Sequence, residues 1–273
     1  MNTLQPPPPP ITDGTTPKKE AKKKLVFSKI EPKKGLRIGL YGTAGVGKTT
    51  LAASMKGNKV FFDLDDSLPI LQEQLTPDIL QTIQTIKIET WQEILDALDS
   101  DGWDGINTII IDTVTKAEEL ATQHMLNTIP NDKGKFVKRI EDYGFGKGYA
   151  FLFDTFLPLL AALDKHCKTG RNVVLVMHDC TSTVPNPTGD DYLRYEPRLS
   201  NPASGKCSIR LRVREWLDHL FYLGYETLVD ENGKATGGQR ILIPSERPYC
   251  MAKSRRLSQD IRIQNNQNPL DLV

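Results

Sequence analysis

The sequence predicts an α/β fold with a mainly parallel central sheet flanked by helices on both faces. Three observations predict it. Short apolar or β-branched runs recur along the chain and end at glycine or acidic residues. Segments with helical signals lie between them. The runs are continuously apolar, as strands covered on both faces must be.

The first run is Leu36–Tyr41, closed by Gly42. A short helix start follows over Lys48–Met55, then a second strand over Lys59–Asp63. Thr90-Trp91-Gln92-Glu93 is a capping-box pattern that opens a helix to about Leu98, and Asp101-Gly102 stops it. Ile106–Ile111 is the most apolar β-branched run, and a helix pattern follows Asp112. Tyr149–His166 reads as a longer helix interrupted at Pro158, with Phe153, Phe156, Leu160 and Leu163 on a core stripe. Asn172–Met177 is another buried strand. Leu220–Tyr225 and Gln239–Ile243 read as two later strands joined by a turn at Asn232-Gly233.

The 273 residues suffice for one large α/β domain or two small ones. Mean hydropathy is −0.38, and no apolar run approaches the ~20 residues of a membrane span, so no membrane partner is expected. The N-terminus lacks the apolar stretch of a secretory signal. Cys167, Cys180, Cys207 and Cys250 form no Cys-x-x-Cys pair, which argues against a zinc site or a disulfide framework and for reduced thiols in a cytoplasmic protein. Charge is uneven. Residues 1–37 hold nine Lys/Arg against three acids, and the rest holds 26 against 31, so any nucleic-acid site must be a local patch. Residues 1–32 read as a disordered Pro/Lys-rich tail, 33–263 as the folded α/β core and 264–273 as a C-terminal tail.

The chemistry sits in Gly42-Thr43-Ala44-Gly45-Val46-Gly47-Lys48-Thr49, which fits G-x-x-x-x-G-K-[ST], with Thr50 next. The glycines let backbone N–H groups curl around phosphate oxygens, and the following helix adds its positive end. Lys48 would reach the β- and γ-phosphates of ATP, and Thr49 would hold Mg²⁺. The spacing differs from the G-x-G-x-x-G of dinucleotide-binding folds. Asp112 ends a buried strand and is the expected second Mg²⁺ group, acting through water, or else a helix N-cap. Thr115-Lys116-Ala117-Glu118 resembles a guanine-reading motif only faintly and is read as chance. Hydrolysis needs a group that positions water, and Asp63, Asp65 and Asp66 follow the second strand. His178 ends another strand and is a candidate γ-phosphate sensor.

These residues resemble the RecA-type recombinase core, most closely the short phage-encoded ATP-binding proteins proposed to act in single-strand annealing or recombination. The likeness runs from about Leu36 to Ile263. It rests on Tyr41–Thr50, Phe62-Asp63-Leu64-Asp65, Ile109–Thr113, Asp142-Tyr143-Gly144, Val173–His178, Glu215-Trp216-Leu217-Asp218 and Ala252-Lys253-Ser254-Arg255. It implies a RecA-like sheet, with Asp65 in the place of the catalytic glutamate. It implies that Lys253 and Arg255 reach the ATP site of a neighbouring copy in a ring or filament. It also implies two DNA-binding stretches. Residues 128–147 supply Lys133, Lys135, Lys138 and Arg139, and the stretch after His178 supplies Arg194 and Arg198, both with aromatics nearby.

The expected function is therefore an ATP-binding, ATP-hydrolysing protein that assembles on single-stranded DNA and promotes annealing or homologous recombination. Its implied partners are single-stranded DNA, further copies of itself and a single-strand-binding protein, in the cytoplasm of a bacterial host if it is phage-encoded. The alternatives are a P-loop ATPase acting on a protein partner in replication or packaging, and a small-molecule kinase, for which the sequence offers no arginine-rich lid.

Overall fold

Eight strands form one sheet, in the spatial order Ile261–Arg262, Ala235–Ile243, His219–Val229, Arg37–Tyr41, Asn172–Met177, Thr108–Asp112, Lys59–Asp63 and Ile83–Ile86. The structure is a computed structural model that describes Phe27, Lys29 and residues 35–229, 235–264 and 268–273. The expected tail over 1–32 lies outside the described residues apart from Phe27 and Lys29, and so does the Asn232-Gly233 turn. The sheet strands are β1 (Arg37–Tyr41), β2 (Lys59–Asp63), β3 (Ile83–Ile86), β4 (Thr108–Asp112), β5 (Asn172–Met177), β8 (His219–Val229), β9 (Ala235–Ile243) and β10 (Ile261–Arg262). From β8 through β3 all pairs are parallel, and β9 and β10 are added antiparallel. The fold is α/β, with a mostly parallel central sheet.

The helices are α1 (Lys48–Ala53), α2 (Leu68–Leu71), α3 (Pro77–Leu80), α4 (Trp91–Asp99), α5 (Val114–Thr128), α6 (Lys147–Lys168) and α7 (Ile209–Trp216). They cover both faces, and the strand residues alternate between the two cores. Val60, Phe62, Ile109, Ile111, Val173 and Leu175 join the side of α4, α5 and α6. Phe61, Ile110, Val174, Val176, Ile38 and Leu40 join the side of α1, α2 and α3. Two-sided burial is why these runs carry no polar alternation. Ile109, Ile110 and Ile111 are all fully buried, and each contributes on the order of 2 kcal/mol.

Several elements differ from expectation. Pro158 does not interrupt α6, which runs unbroken over Lys147–Lys168. The stretch after His178 is not a long loop. It forms a hairpin of β6 (Asp179–Val184) and β7 (Tyr192–Pro197), followed by α7. Residues 268–273, expected as a tail, are packed. Pro269–Leu272 forms a 3₁₀ turn, and Leu270 is buried in the core beside α1. Among the described residues no helix is long and apolar enough to cross a membrane.

Candidate active site

The carboxyl ends of β1, β2, β4 and β5 carry Gly42, Asp63, Asp112 and His178 to one edge of the sheet. The phosphate-binding loop leaves β1 there because its glycines permit it. A Cβ on Gly42 would stand 2.0 Å from Leu223 O, and Gly47 has φ +94°. Lys48 is buried, and its Nζ donates to Gly42 O at 2.7 Å and Thr43 O at 2.9 Å. Burial lowers its pKa, opposed by the carboxylates of Asp179 and Asp112.

Thr49 Oγ1 donates to Asp112 Oδ2 at 2.6 Å, so the two expected metal-holding groups meet. Ser67 Oγ lies 3.3 Å from the same oxygen. Burial pushes the Asp112 carboxyl up to about 6, with Asp63 and Asp65 adding to the rise and the Thr49 hydrogen bond opposing it. A cation here would pull that pKa back toward the ordinary carboxylate range. The donor set fits Mg²⁺, which takes hard oxygens, one or two carboxylates and phosphate in place of a full protein cage. Asp112 is not the N-cap of α5. Thr113 is, with its Oγ1 accepting from Lys116 N at 3.2 Å.

The acidic run divides by role. Asp63 takes the backbone N–H groups of Ser67 and Leu68 at 2.9 and 3.0 Å and so fixes the turn into α2. Asp65 faces the cavity. Its Oδ2 accepts from Thr113 Oγ1 at 2.8 Å and lies 3.5 Å from His178 Nε2. Burial, with Lys48 nearby, lowers the His178 pKa against the opposing pull of Asp65, which favours the neutral ring. Its backbone N–H donates to Thr115 Oγ1 at 3.1 Å, which anchors the end of β5. A cavity of about 600 Å³ is lined by Ala44, Gly45, Lys48, Thr49, Asp65, Asp112 and His178 together with Arg240 of β9. Thr43 and Val46 lie in the same loop, Val46 turned into the core.

Sequence reasoning missed Arg240, Ser67 and Thr113. Arg240 is some two hundred residues from the loop, and only sheet pairing beside β8 brings it there. Ser67 and Thr113 each stand one or two residues from a residue singled out for the site, and that adjacency was the available signal.

Two expected sites need correction. Lys253 Nζ donates to the carbonyls of Arg214, Glu215 and Leu217 at 3.1, 3.3 and 2.7 Å, so it caps the end of α7 within its own chain. An ammonium has three protons, and all three are used. Arg194 is also occupied. It pairs with Glu196 and with Glu246, at 2.8 Å, and its side chain is 13% exposed. Glu196 binds Arg210 as well, and Arg214 pairs with Glu246. These charges hold the hairpin onto α7 and are not free for phosphate. Arg255 keeps 67% of its side chain exposed, 3.3 Å from Asp218. Lys133, Lys135, Lys138, Arg139 and Arg198 are exposed.

A protein-family model described as an AAA domain matches residues 34–256. Among curated proteins none matches the chain.

Proposed function

The chain belongs to the AAA-domain family, and from that premise we propose that it binds Mg-ATP, hydrolyses it and assembles on single-stranded DNA to promote annealing or homologous recombination. The domain supports ATP binding and ATPase activity. The single observation that carries the reading is the 2.6 Å contact between Thr49 and Asp112 beside Lys48. Mg²⁺ bound with ATP would neutralise charge on the β- and γ-oxygens. Lys48 would balance the same charge from the other side. Asp65 Oδ2 is taken by Thr113 and faces His178, which leaves Oδ1 to accept the proton of an attacking water. Neutral His178 would donate toward the terminal phosphate.

The DNA role is supported by residues 129–146. Phe136 and Phe145 are 65% and 103% exposed there, among Lys133, Lys135, Lys138 and Arg139. Cations neutralise backbone phosphate, and an exposed ring offers a base a stacking face. One observation favours the second reading, an ATPase acting on a protein. Leu193, Tyr195 and Tyr249 form an exposed apolar patch on and beside the hairpin, whose own arginine is paired inward.

The test is steady-state ATP hydrolysis with and without single-stranded DNA, with Lys48→Ala as the blank. Stimulation that is lost when Phe136 and Lys135 are replaced by alanine is the expected result. If DNA leaves the rate unchanged and ATP does not promote DNA binding, the DNA role is wrong and the protein-partner reading replaces it.

A further inference from the structure

The site continues beyond the phosphate-binding loop. A second cavity of about 450 Å³ shares Gly47, Thr50, Gln74 and Arg240 with the first. Its remaining wall includes Leu51, Ser54 and Ile79 on one side and Ile263, Gln264 and Asn268 on the other. The late segment is pinned in place. Asn268 Nδ2 donates to Leu51 O at 3.3 Å, and Lys56 Nζ lies 3.2 Å from Asp271 Oδ2. Ile263 N donates to Arg240 O at 2.9 Å, which continues the pairing of β9 with β10.

The order of groups along α1 gives the ligand a direction. Lys48 and Thr49 face Asp112. Thr50 lines both cavities, and Ser54, one turn on, lines only the second. A triphosphate whose last phosphate lies by Asp112 and His178 leaves the loop past Thr50. The nucleoside comes next in such a molecule. We infer that the second cavity is the nucleoside subsite, with Arg240 at its junction with the phosphates; this rests on the ATP reading of the site.

The chemistry of the walls suits that ligand. Leu51, Ile79 and Ile263 are apolar surfaces for the faces of a purine. Gln74 and Gln264 carry amides that both donate and accept, as a purine edge requires, while the Asn268 amide is spent on Leu51 O and Leu270 N. Arg240 has a fixed positive charge and, among the described residues, no side-chain hydrogen bond or ion pair. Its Nη1 lies 2.6 Å from where a Cβ on Gly47 would stand, so its guanidinium rests on the loop that takes the phosphates. Residues beside the C-terminus are therefore part of the nucleotide site.

Binding of ATP and of inorganic tripolyphosphate, each with Mg²⁺, tests this. Ser54→Phe fills the cavity and leaves the loop intact. It is expected to weaken ATP about tenfold or more and tripolyphosphate by less than about twofold. Arg240→Ala is expected to weaken both. A Ser54→Phe protein that melts as wild type does and binds ATP as tightly, or loses both ligands equally, overturns the inference. Photolabelling of the wild-type protein with 8-azido-ATP gives an independent answer. Adducts are expected within residues 50–56, at 263–264 or within 268–271, and adducts confined elsewhere overturn it. Wild-type protein that binds tripolyphosphate but not ATP refutes the subsite alone. Protein that binds neither refutes the ATP reading itself.

Discussion

Lys48 donates to two carbonyls of its own loop, and a phosphate oxygen offers the same kind of acceptor with a full charge. Lys48→Ala is therefore expected to lower ATP affinity by about two orders of magnitude in calorimetry. Asp112 makes a different prediction. Asn there can still accept from Thr49 but carries no charge for Mg²⁺. Asp112→Asn is expected to cut Mg-dependent hydrolysis about 100-fold while ATP binding falls less. A third residue reports on stability. Burial pushes the Glu118 carboxyl from 4.5 up to about 7, although Ser200 N donates to it at 2.8 Å and Arg210 lies near. A pKa raised in the folded state means that stability is fully present below 4.5 and is lost as pH rises through about 7. Glu118→Gln keeps an acceptor for Ser200 N and removes the proton equilibrium. Urea unfolding of this variant is expected to show a flatter pH dependence over that window and higher stability than wild type at about pH 8. Residue chemistry was legible where it depended on local spacing. Gly42–Thr49 and Asp112 are readable because a strand, a glycine turn and a helix start are local events. The occupation of Lys253 was not, because its three acceptors end a helix some forty residues away.

Among the elements, the hairpin of β6 and β7 is the least legible and depends most on tertiary charge. Its segment carries alternating polar and β-branched residues, Thr181, Ser182, Thr183 and Val184, and the pairing strand repeats the alternation at Tyr192, Leu193, Arg194 and Tyr195. The half-buried Arg194 and the buried Glu196 point inward, while Leu193 and Tyr195 point out. The arginines scattered through the stretch mask this period of two. Glu196 binds Arg194 and Arg210 with its side chain 5% exposed. Removing it would leave the Arg210 guanidinium largely out of water without its carboxylate, and Arg194 with Glu246 alone. Glu196→Ala is expected to destabilise the fold by about 3 kcal/mol in denaturant unfolding. A loss below about 0.5 kcal/mol would mean that solvent already screens the network. α6 teaches the opposite lesson. Pro158 suggested a break, yet packing of Phe156, Leu159, Leu160 and Leu163 holds the helix together around it.

For the whole molecule, the question is how copies would communicate across an assembly. Lys253 and Arg255 were expected to act together on a neighbouring ATP site, but their environments differ. Lys253→Ala removes the cap of α7, so it is expected to lower the melting temperature with or without DNA. Arg255→Ala touches an exposed side chain. If Arg255 acts between copies, this variant keeps the wild-type melting temperature and loses only DNA-stimulated hydrolysis. Equal hydrolysis by wild type and Arg255→Ala at every protein concentration would remove the trans role.

The sequence by itself determined the P-loop, the strands that present it and the two-sided core, because each depends on residues adjacent along the chain and on burial that apolar runs record directly. Tertiary structure alone decided which charges are free. It placed Arg240 against the loop and residues 268–271 against α1, and it turned Arg194 and Lys253 inward. A charged side chain spends its interaction on whatever the fold brings near it, and sheet order, not sequence distance, sets that neighbour.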